Sequence, residues 1–244
     1  LFPYTTLFRS QNQGIRLLGA VLRREGFETT LLFFKRWVNN DVQPPTAVEK
    51  ALFRRVVEER QPDLIGFGFG SPYLSVVRDL SNIAREVTRS PILWGGVHPT
   101  IAPEDCLDTA DLVCIGEGEY PLLEIMQALA AGRSYDRLAN LWAKTADGWV
   151  KNPLRPLIQD LDALPYDDLL SGPAIVIDND RLGNGEPMAE TAVYRLYASR
   201  GCPFRCSYCY NNQLRGIYNR LGTYHRERSP ANVINEMKVV RPQL

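Results

Sequence analysis

The sequence predicts an α/β protein in which a doubly wound parallel sheet is followed by a second structural unit. Short apolar runs alternate with longer segments of helical periodicity between residues 11 and 152. This alternation is typical of parallel strands covered by helices on both faces. A stretch with recurrent prolines then precedes a cysteine-rich loop at residues 202–209, which indicates a unit of different character.

The first elements are predicted from helical stripes and helix-end signals. Residues 14–25 carry apolar side chains at helical spacing, and Gly26 follows as a helix-terminating glycine. A short apolar strand is predicted at residues 29–34. Thr46 and Glu49 have the spacing of a capping box, so we expect a helix to begin there and to run to about residue 60.

Three further strands and two helices complete the alternation. Residues 64–69 form an apolar run that suits a strand buried on both faces, and a helix is predicted over 73–89. Strands at 92–94 and 112–115 follow, and the second of them leads through a turn to a helix at 120–131. We therefore expect a parallel sheet with several loops at one edge.

The residues after this sheet are predicted to close the first domain and to connect it to the next. A hairpin at 138–151, with a turn at Asp147 and Gly148, ends the domain assigned to residues 11–152. Residues 153–190 are predicted to be a connector, because prolines recur in the first part and residues 178–190 are polar and glycine-rich.

The second unit is predicted to begin at residue 191 and to continue to residue 244. Residues 192–198 alternate like a strand and lead into the cysteine loop. Ser229 followed by Pro230 predicts a capped helix that continues to about residue 240. Arg226 and Arg228 precede it, and we expect them to pair with nearby carboxylates such as Glu227.

Several loops of the first domain carry candidate binding residues. Ligands of doubly wound sheets lie beyond the carboxyl ends of the strands, where these loops are predicted to be. Glycine at such positions allows the backbone to approach a bulky ligand closely. The candidate cofactor-binding residues in these loops are Ser71, Gly95, Gly96, His98, Glu117 and Gly118.

Cys202, Cys206 and Cys209 are predicted to bind a metal centre. Three thiolates in a Cys-x3-Cys-x2-Cys loop can hold three irons of a cubane cluster, whereas four would saturate it. The fourth iron would then be free for another ligand. A zinc site formed by the three cysteines and His225 is the alternative. A disulfide framework is disfavoured because the chain has five cysteines, an odd number. Cys106 and Cys114 are predicted to be small buried core residues.

With Tyr208 before its last cysteine, the loop resembles the signature of the radical S-adenosylmethionine (radical SAM) superfamily. The resemblance implies a [4Fe-4S] cluster whose open iron is chelated by S-adenosylmethionine, which is cleaved by an electron from a flavodoxin- or ferredoxin-type reductant. It implies that Tyr208 lies near the adenine. It also implies that residues 191–244 form the first βα unit of a (β/α)6 partial barrel whose other units lie beyond this sequence.

Taken in order, the loops of the first domain resemble the vitamin-B12-binding domain that precedes many radical SAM cores. They contain a serine after a buried strand, a Gly-Gly-x-His-Pro-Thr run and a Gly-Glu-Gly-Glu turn. The resemblance implies a flavodoxin- or Rossmann-like fold and cobalamin as a cofactor. Domains that supply a cobalt ligand use an Asp-x-His-x-x-Gly loop, which this sequence lacks, so we expect no histidine ligand. His98 is expected to be a hydrogen-bonded loop residue.

These observations predict the amino-terminal part of a radical enzyme that modifies an unidentified small molecule by methyl transfer or cyclisation. The alternative is a non-catalytic, flavodoxin-like binding module with a zinc-stapled tail. Iron and acid-labile sulfide content would separate the two.

The composition limits the kinds of binding partner and the cellular compartment that we expect. A net charge of zero gives no electrostatic basis for nucleic-acid binding, and no apolar run reaches the length of a membrane span. A cytoplasmic location is predicted because no secretory signal is present. Residues 1–10 lack an initial Met and show neither a strand nor a helix pattern, so we predict that they are not native to the protein.

Overall fold

The computed structural model of the protein describes residues 2–4, 13–34, 44–166, 172–185, 194 and 196–241. The elements up to residue 151 are, in chain order, β1 (Phe2–Tyr4), α1 (Gln13–Arg24), β2 (Leu31–Phe34), α2 (Ala47–Arg60), β3 (Ile65–Gly68), α3 (Leu74–Val87), β4 (Ile92–Gly95), α4 (Val97–Ile101), β5 (Leu112–Cys114), α5 (Glu119–Ala130), β6 (Leu141–Thr145) and β7 (Gly148–Lys151). The later elements are β8 (Ala174–Asp178), β9 (Arg181–Asn184), β10 (Ser199–Arg200), α6 (Asn211–Ile217), β11 (Arg226–Glu227) and α7 (Pro230–Val240).

The strands form a mixed, mainly parallel arrangement. One sheet has the order β3-β4-β5-β6-β7, in which β3, β4 and β5 are parallel and the hairpin β6-β7 adds antiparallel strands. A second sheet has the order β1-β2-β8-β9, with β1, β2 and β8 parallel. Because β1 lies beside β3, the two sheets meet at that edge.

Helices cover both faces of the sheets, as the sequence predicted. The apolar residues of α2 and α3, such as Phe53 and Leu80, pack with Trp94 of β4 on one face. Those of α1 and α5, such as Ile15 and Ile125, form a separate cluster on the other face. Successive residues of a strand point to opposite faces, so each buried strand contributes to both clusters.

Both predicted helix caps are confirmed. The Thr46 hydroxyl accepts a hydrogen bond from the Glu49 backbone N–H at 3.1 Å, and the Glu49 carboxylate accepts one from the Thr46 N–H at 2.9 Å. At α7, the Ser229 hydroxyl accepts a hydrogen bond from the Asn232 N–H at 3.1 Å, and Pro230 occupies the first turn. Each cap satisfies N–H groups that have no acceptor within the helix.

Two segments form strands that their sequence patterns did not indicate. Phe2–Tyr4 form β1 and pair in parallel with β2, although three residues are too few to show an alternating pattern. The prediction that residues 1–10 are not native stays a prediction. Residues 174–184, assigned to the connector and partly to a polar loop, form the hairpin β8-β9, which extends the sheet beside β2. Polar residues suit this hairpin because β9 is an edge strand.

Two short helices and one strand also differ from the sequence predictions. The loop predicted at 95–100 contains the helix α4, and α6 follows the cysteine loop without having been predicted. The strand predicted at 192–198 lies partly outside the described residues, and residues 196–198 are not in a strand. Only Ser199–Arg200 form a strand there, paired antiparallel with β11. In the part of the chain that the structure describes, no helix has the length and apolarity needed to cross a bilayer.

Candidate functional site

A cavity of about 590 Å³ lies between residues 13–151, which we call the first unit, and residues 196–241, which we call the cysteine-bearing segment. On one side it is lined by residues at the carboxyl ends of β3, β4 and β5, and on the other by residues between 197 and 236. Its volume is in the range of roughly 300–1,000 Å³ that is typical of ligand sites. The location agrees with the rule that doubly wound sheets bind ligands at this edge.

The cavity brings together some of the predicted binding residues and leaves out others. Gly95, Gly96, Glu117 and Gly118 line it. Ser71 and His98 are not among the lining residues; they contact each other through His98 Nδ1 and Ser71 Oγ, 3.0 Å apart. Both therefore lie beside the cavity wall.

His98 was expected to be a hydrogen-bonded loop residue; it lies in the short helix α4 instead, and its geometry is that of a structural residue. Its ring lies 5.5 Å from the Phe69 ring, and Nε2 is 3.7 Å from the Asp105 carboxylate. Burial lowers the pKa of His98, and the nearby Asp105 charge offsets part of this effect. The neutral imidazole thus connects α4 to Ser71 through the Nδ1 atom of His98.

Glu117 connects the first unit to the cysteine-bearing segment. Its Oε1 atom lies 2.9 Å from Arg200 Nη1 and 2.8 Å from Arg226 Nη1, and its Oε2 accepts a hydrogen bond from the Ile158 N–H at 2.8 Å. The second carboxylate of the turn, Glu119, pairs with Arg200 Nη2. We call Glu117, Glu119, Arg200 and Arg226 the ion cluster.

The ion cluster is largely shielded from solvent. The side chains of Glu119 and Arg226 are each 6% exposed, and that of Glu117 is 15% exposed. Burial by itself would lower the pKa of Arg200, but the charges of Glu119 and Glu117 and their hydrogen bonds raise it. Arg200 therefore stays protonated, and the pairing is not screened as it would be at the surface.

The turn between β5 and α5 requires glycine at position 116. Its φ of 87° is in the left-handed region, and a Cβ there would lie 1.4 Å from the Tyr218 hydroxyl oxygen. That hydroxyl accepts a hydrogen bond from the Glu117 N–H at 3.1 Å. The turn is thus shaped to receive Tyr218, which the sequence analysis did not identify. Its partner lies about 100 residues away, so no local pattern marks it.

Arg226 and Arg228 do not pair with Glu227, so that prediction is wrong. Arg226 belongs to the ion cluster, and Arg228 pairs with Glu236 of α7. In an extended strand, neighbouring side chains point to opposite faces. Arg226 therefore faces the first unit, and Glu227 faces the other way, where it lies 3.8 Å from His225.

The cysteine loop begins and ends at the cavity wall. Gly201 and Tyr210, which flank the loop, both line the cavity. Gly201 has a φ of 80°, and a Cβ there would lie 2.1 Å from the Tyr224 carbonyl oxygen. Only glycine allows the chain to turn so closely against the strand that leads to Arg226.

The three cysteines have the donor chemistry of a cluster site. Cys206 is exposed, and Cys202 and Cys209 are half-buried. Hydrogen bonds from the backbone and side chain of Asn211 lower the pKa of Cys209. In the described parts of the chain, no three His, Cys, Asp or Glu residues are grouped closely enough to hold a metal. Closure of the loop around a cluster therefore stays a prediction, as does the role of Tyr208, which is 91% exposed.

Cys106 and Cys114 are both buried, as predicted. Burial is the main cause that raises the pKa of each thiol to about 12. Protonated thiols are poor metal ligands, so their chemistry differs from that of the loop.

The lining of the cavity offers polar and apolar groups of the kinds that a corrinoid could contact. Gln13 Oε1 and Glu119 Oε2 are buried acceptors without a hydrogen-bond partner among the described residues, and both side chains line the cavity. The primary amides at the edge of a corrin ring are donors that could satisfy them. Leu17, Leu18 and Leu122 add apolar surface for the macrocycle.

Comparisons with known sequences find relatives of this chain. The family model for the B12 binding domain matches residues 5–126. An uncharacterized methyltransferase of Pyrococcus horikoshii is 28% identical over 76% of this chain and 38% of its own length. Cytidylyl-2-hydroxyethylphosphonate methyltransferase of Streptomyces wedmorensis is 27% identical over 100% of this chain and 52% of its own length. The chain thus spans 38% and 52% of the lengths of these two relatives.

Solved structures show the same fold. The radical S-adenosylmethionine methyltransferase TsrM of Kitasatospora setae, solved with cobalamin and a [4Fe-4S] cluster, matches with a TM-score of 0.71 and 19% identity over 99% of this chain and 45% of that chain. OxsB, a cobalamin-dependent S-adenosylmethionine radical enzyme solved with aqua-cobalamin, matches with a TM-score of 0.66 and 20% identity over 98% of this chain and 31% of its own.

Proposed function

Because the chain belongs to the B12 binding domain family, we propose that it is the cofactor-binding part of a radical S-adenosylmethionine enzyme that acts by methyl transfer or cyclisation on a small molecule. In this proposal the cavity receives cobalamin, and Cys202, Cys206 and Cys209 hold a [4Fe-4S] cluster. Both curated relatives described above are methyltransferases by name.

The observation that carries the proposal is the shared wall between the cavity and the cysteine loop. Gly201 precedes the first cysteine, Tyr210 follows the last, and both residues line the cavity. A ligand in the cavity and a metal centre on the loop would therefore be neighbours. The ion cluster holds the two sides together, since its carboxylates belong to the first unit and its arginines to the cysteine-bearing segment.

The residues of the chain have separable tasks in this proposal. Asn211 stabilises the thiolate form of Cys209 by hydrogen bonding. Leucines of α1 and α5 exclude water from the cavity, which strengthens polar contacts inside it. When bound, the cluster with S-adenosylmethionine would supply one-electron reductive chemistry, and the corrinoid would supply a methyl carrier.

Anaerobic reconstitution with iron and sulfide tests the metal assignment. We expect a brown species with matching iron and acid-labile sulfide, and we expect it to be lost when Cys202, Cys206 and Cys209 are all changed to Ala. Cys106→Ala is the matched control, because it removes a buried thiol with a raised pKa and should leave iron uptake unchanged. Equal iron and sulfide in the triple variant and the parent would refute the cluster site.

The same preparation separates the proposal from the zinc alternative. A structural zinc site would use His225 as its fourth ligand and would contain no sulfide. Stoichiometric zinc without sulfide, lost in His225→Ala, would favour a non-catalytic binding module with a zinc-stapled tail. Iron and sulfide that persist in His225→Ala would favour the radical enzyme.

A further inference from the structure

The wall of the cavity contains two buried hydrogen-bond acceptors that the described residues leave unsatisfied. Gln13 is 7% exposed and Glu119 is 5% exposed, and neither Gln13 Oε1 nor Glu119 Oε2 has a partner within the described structure. Leaving a buried acceptor unpaired costs about 1–3 kcal/mol, and more when the group is charged. A ligand that donates hydrogen bonds to both atoms would remove this cost.

The charges around the cavity indicate that this ligand is uncharged where it meets the wall. The described lining residues include three carboxylates and three guanidinium groups, and every one of them belongs to an ion pair. The ion cluster balances Glu117 and Glu119 with Arg200 and Arg226. Arg228 is balanced by Glu236. The pairing leaves no lone cation to attract a carboxylate or phosphate, and Glu119 Oε2 would repel either.

We propose that Gln13 and Glu119 accept hydrogen bonds from the peripheral amides of the corrinoid and thereby select amidated corrinoids over their carboxylic acids. The inference rests on the proposed function and assigns the specificity of the same cavity. A primary amide supplies two N–H donors, whereas a carboxylate supplies none and carries a negative charge. Replacing the amide that faces Glu119 by an acid would therefore lose a hydrogen bond and add repulsion.

Binding of cyanocobalamin and of its monocarboxylic acid derivatives to the full chain tests this selection. Each derivative has one propionamide replaced by propionate, and affinity is measured by isothermal titration calorimetry at pH 7.5. We expect at least one derivative to bind the parent about tenfold more weakly than cyanocobalamin. The remaining derivatives should bind like cyanocobalamin, because their altered side chains face away from Gln13 and Glu119.

Two substitutions assign the effect to the two acceptors. Glu119→Gln replaces the unpaired oxygen by an amide group that can donate a hydrogen bond. The discrimination, which is the ratio of the dissociation constants of the acid derivative and of cyanocobalamin, should therefore fall below about threefold. Gln13→Leu removes an acceptor without changing the charge, so the affinity for cyanocobalamin should drop about tenfold. Glu124→Gln is the matched control: Glu124 lies on α5 like Glu119 and pairs with Arg155, but it is not among the lining residues, and binding should not change.

Glu119 also pairs with Arg200, so its substitution could disturb folding. Gln13→Glu provides an independent test, because it adds a negative charge at an acceptor that is in no ion pair. It should increase the discrimination against the acids beyond the parent value.

The outcomes distinguish this inference from the proposed function. If the parent binds cyanocobalamin but binds every acid derivative within about threefold, or if the Gln13 variants behave like the parent, the inference is wrong while the corrinoid site stands. If the discrimination survives Glu119→Gln in a folded protein, the assignment to Glu119 is wrong. If the parent does not bind cyanocobalamin, the corrinoid site and the inference both fail.

Discussion

Glu117 Oε1 lies 2.8 Å from Arg226 Nη1, although 109 residues separate them in the sequence. The contact joins the turn after β5 to β11, the short strand that pairs with β10 just before the cysteine loop. Arg226 Nη1 also donates a hydrogen bond to the Ile158 carbonyl at 2.9 Å, so the connector is held at the same point. Glu117 was predicted to bind a cofactor, and the structure gives its carboxylate three protein partners.

Glu117→Gln should loosen the cysteine-bearing segment from the first unit. Removing one partner from a shielded ion cluster leaves two guanidinium groups undercompensated, and we expect a loss of about 2–3 kcal/mol in the free energy of unfolding. Urea denaturation followed by tryptophan fluorescence measures the loss. Hydrogen exchange in residues 199–228 should become faster, while exchange in β3 and β4 should stay slow.

The matched control is Glu104→Gln. Glu104 is 66% exposed and lies 3.9 Å from Lys151, so its substitution should change stability by less than about 0.5 kcal/mol. Equal effects of the two substitutions would show that the ion cluster does not hold the segment.

Gly116→Ala should be costly because the added Cβ would overlap Tyr218. The left-handed backbone costs about 1–2 kcal/mol for a non-glycine residue, and the steric overlap adds a similar amount. Gly132→Ala isolates the first contribution, because Gly132 also has a positive φ, of 60°, but no atom within 4 Å of the added Cβ. Thermal unfolding should therefore show a clearly larger loss for Gly116→Ala.

Tyr218→Phe removes the hydroxyl that a Cβ on residue 116 would meet. Combined with Gly116→Ala, it should cost less than the sum of the two single substitutions. Additive losses would contradict the packing of Tyr218 against this turn.

The cysteines should divide into two classes in their reaction with iodoacetamide. The pKa of Cys106 and of Cys114 is raised to about 12 from the reference value of 9.0, so the neutral thiol is retained through physiological pH. At pH 8 the thiolate fraction is roughly 1,000-fold lower than for a thiol of unshifted pKa. Mass spectrometry of the native metal-free protein should show rapid labelling of Cys206 and slow labelling of the two buried thiols until urea is added. Equal labelling of all the cysteines would contradict this difference.

Corrinoid bound in the cavity should not be ligated by His98. The imidazole Nδ1 contacts Ser71 Oγ, and His98 is outside the cavity lining. Cob(II)inamide lacks a nucleotide base, so its electron paramagnetic resonance spectrum reports protein ligands directly. We expect no nitrogen splitting, and His98→Ala should leave the spectrum unchanged. Nitrogen splitting that disappears in His98→Ala would identify it as a ligand.

Stability should fall as the pH drops toward the range in which His98 becomes protonated. Burial lowers the pKa of His98 below the unfolded value of 6.5, so the folded state favours the neutral ring. The stability contribution is present above that value and is lost as the pH falls below it, because the unfolded chain then binds the proton more readily. A series of urea denaturations between pH 7.5 and pH 5 measures this loss. In His98→Asn, the free energy of unfolding should fall less steeply over the same pH range.

Local patterns in the sequence determined the parallel strands, the helices on both faces and the two caps, and they predicted the chemistry of the cysteine loop. Thr46 with Glu49 and Ser229 with Pro230 could be identified because a cap involves residues only a few positions apart. The buried strands could be identified because a short, continuous run of apolar residues is typical of a strand that is covered on both faces.

Only the tertiary structure decided which residues meet at the site. The ion cluster, the contact of Tyr218 with Gly116 and the unsatisfied acceptors Gln13 and Glu119 depend on segments that approach each other across the fold. The hairpin β8-β9 joins the sheet by pairing in parallel with β2, which is far away in the sequence. Pairings at such separations are set by packing of whole elements, and a sequence window of a few residues does not contain that information.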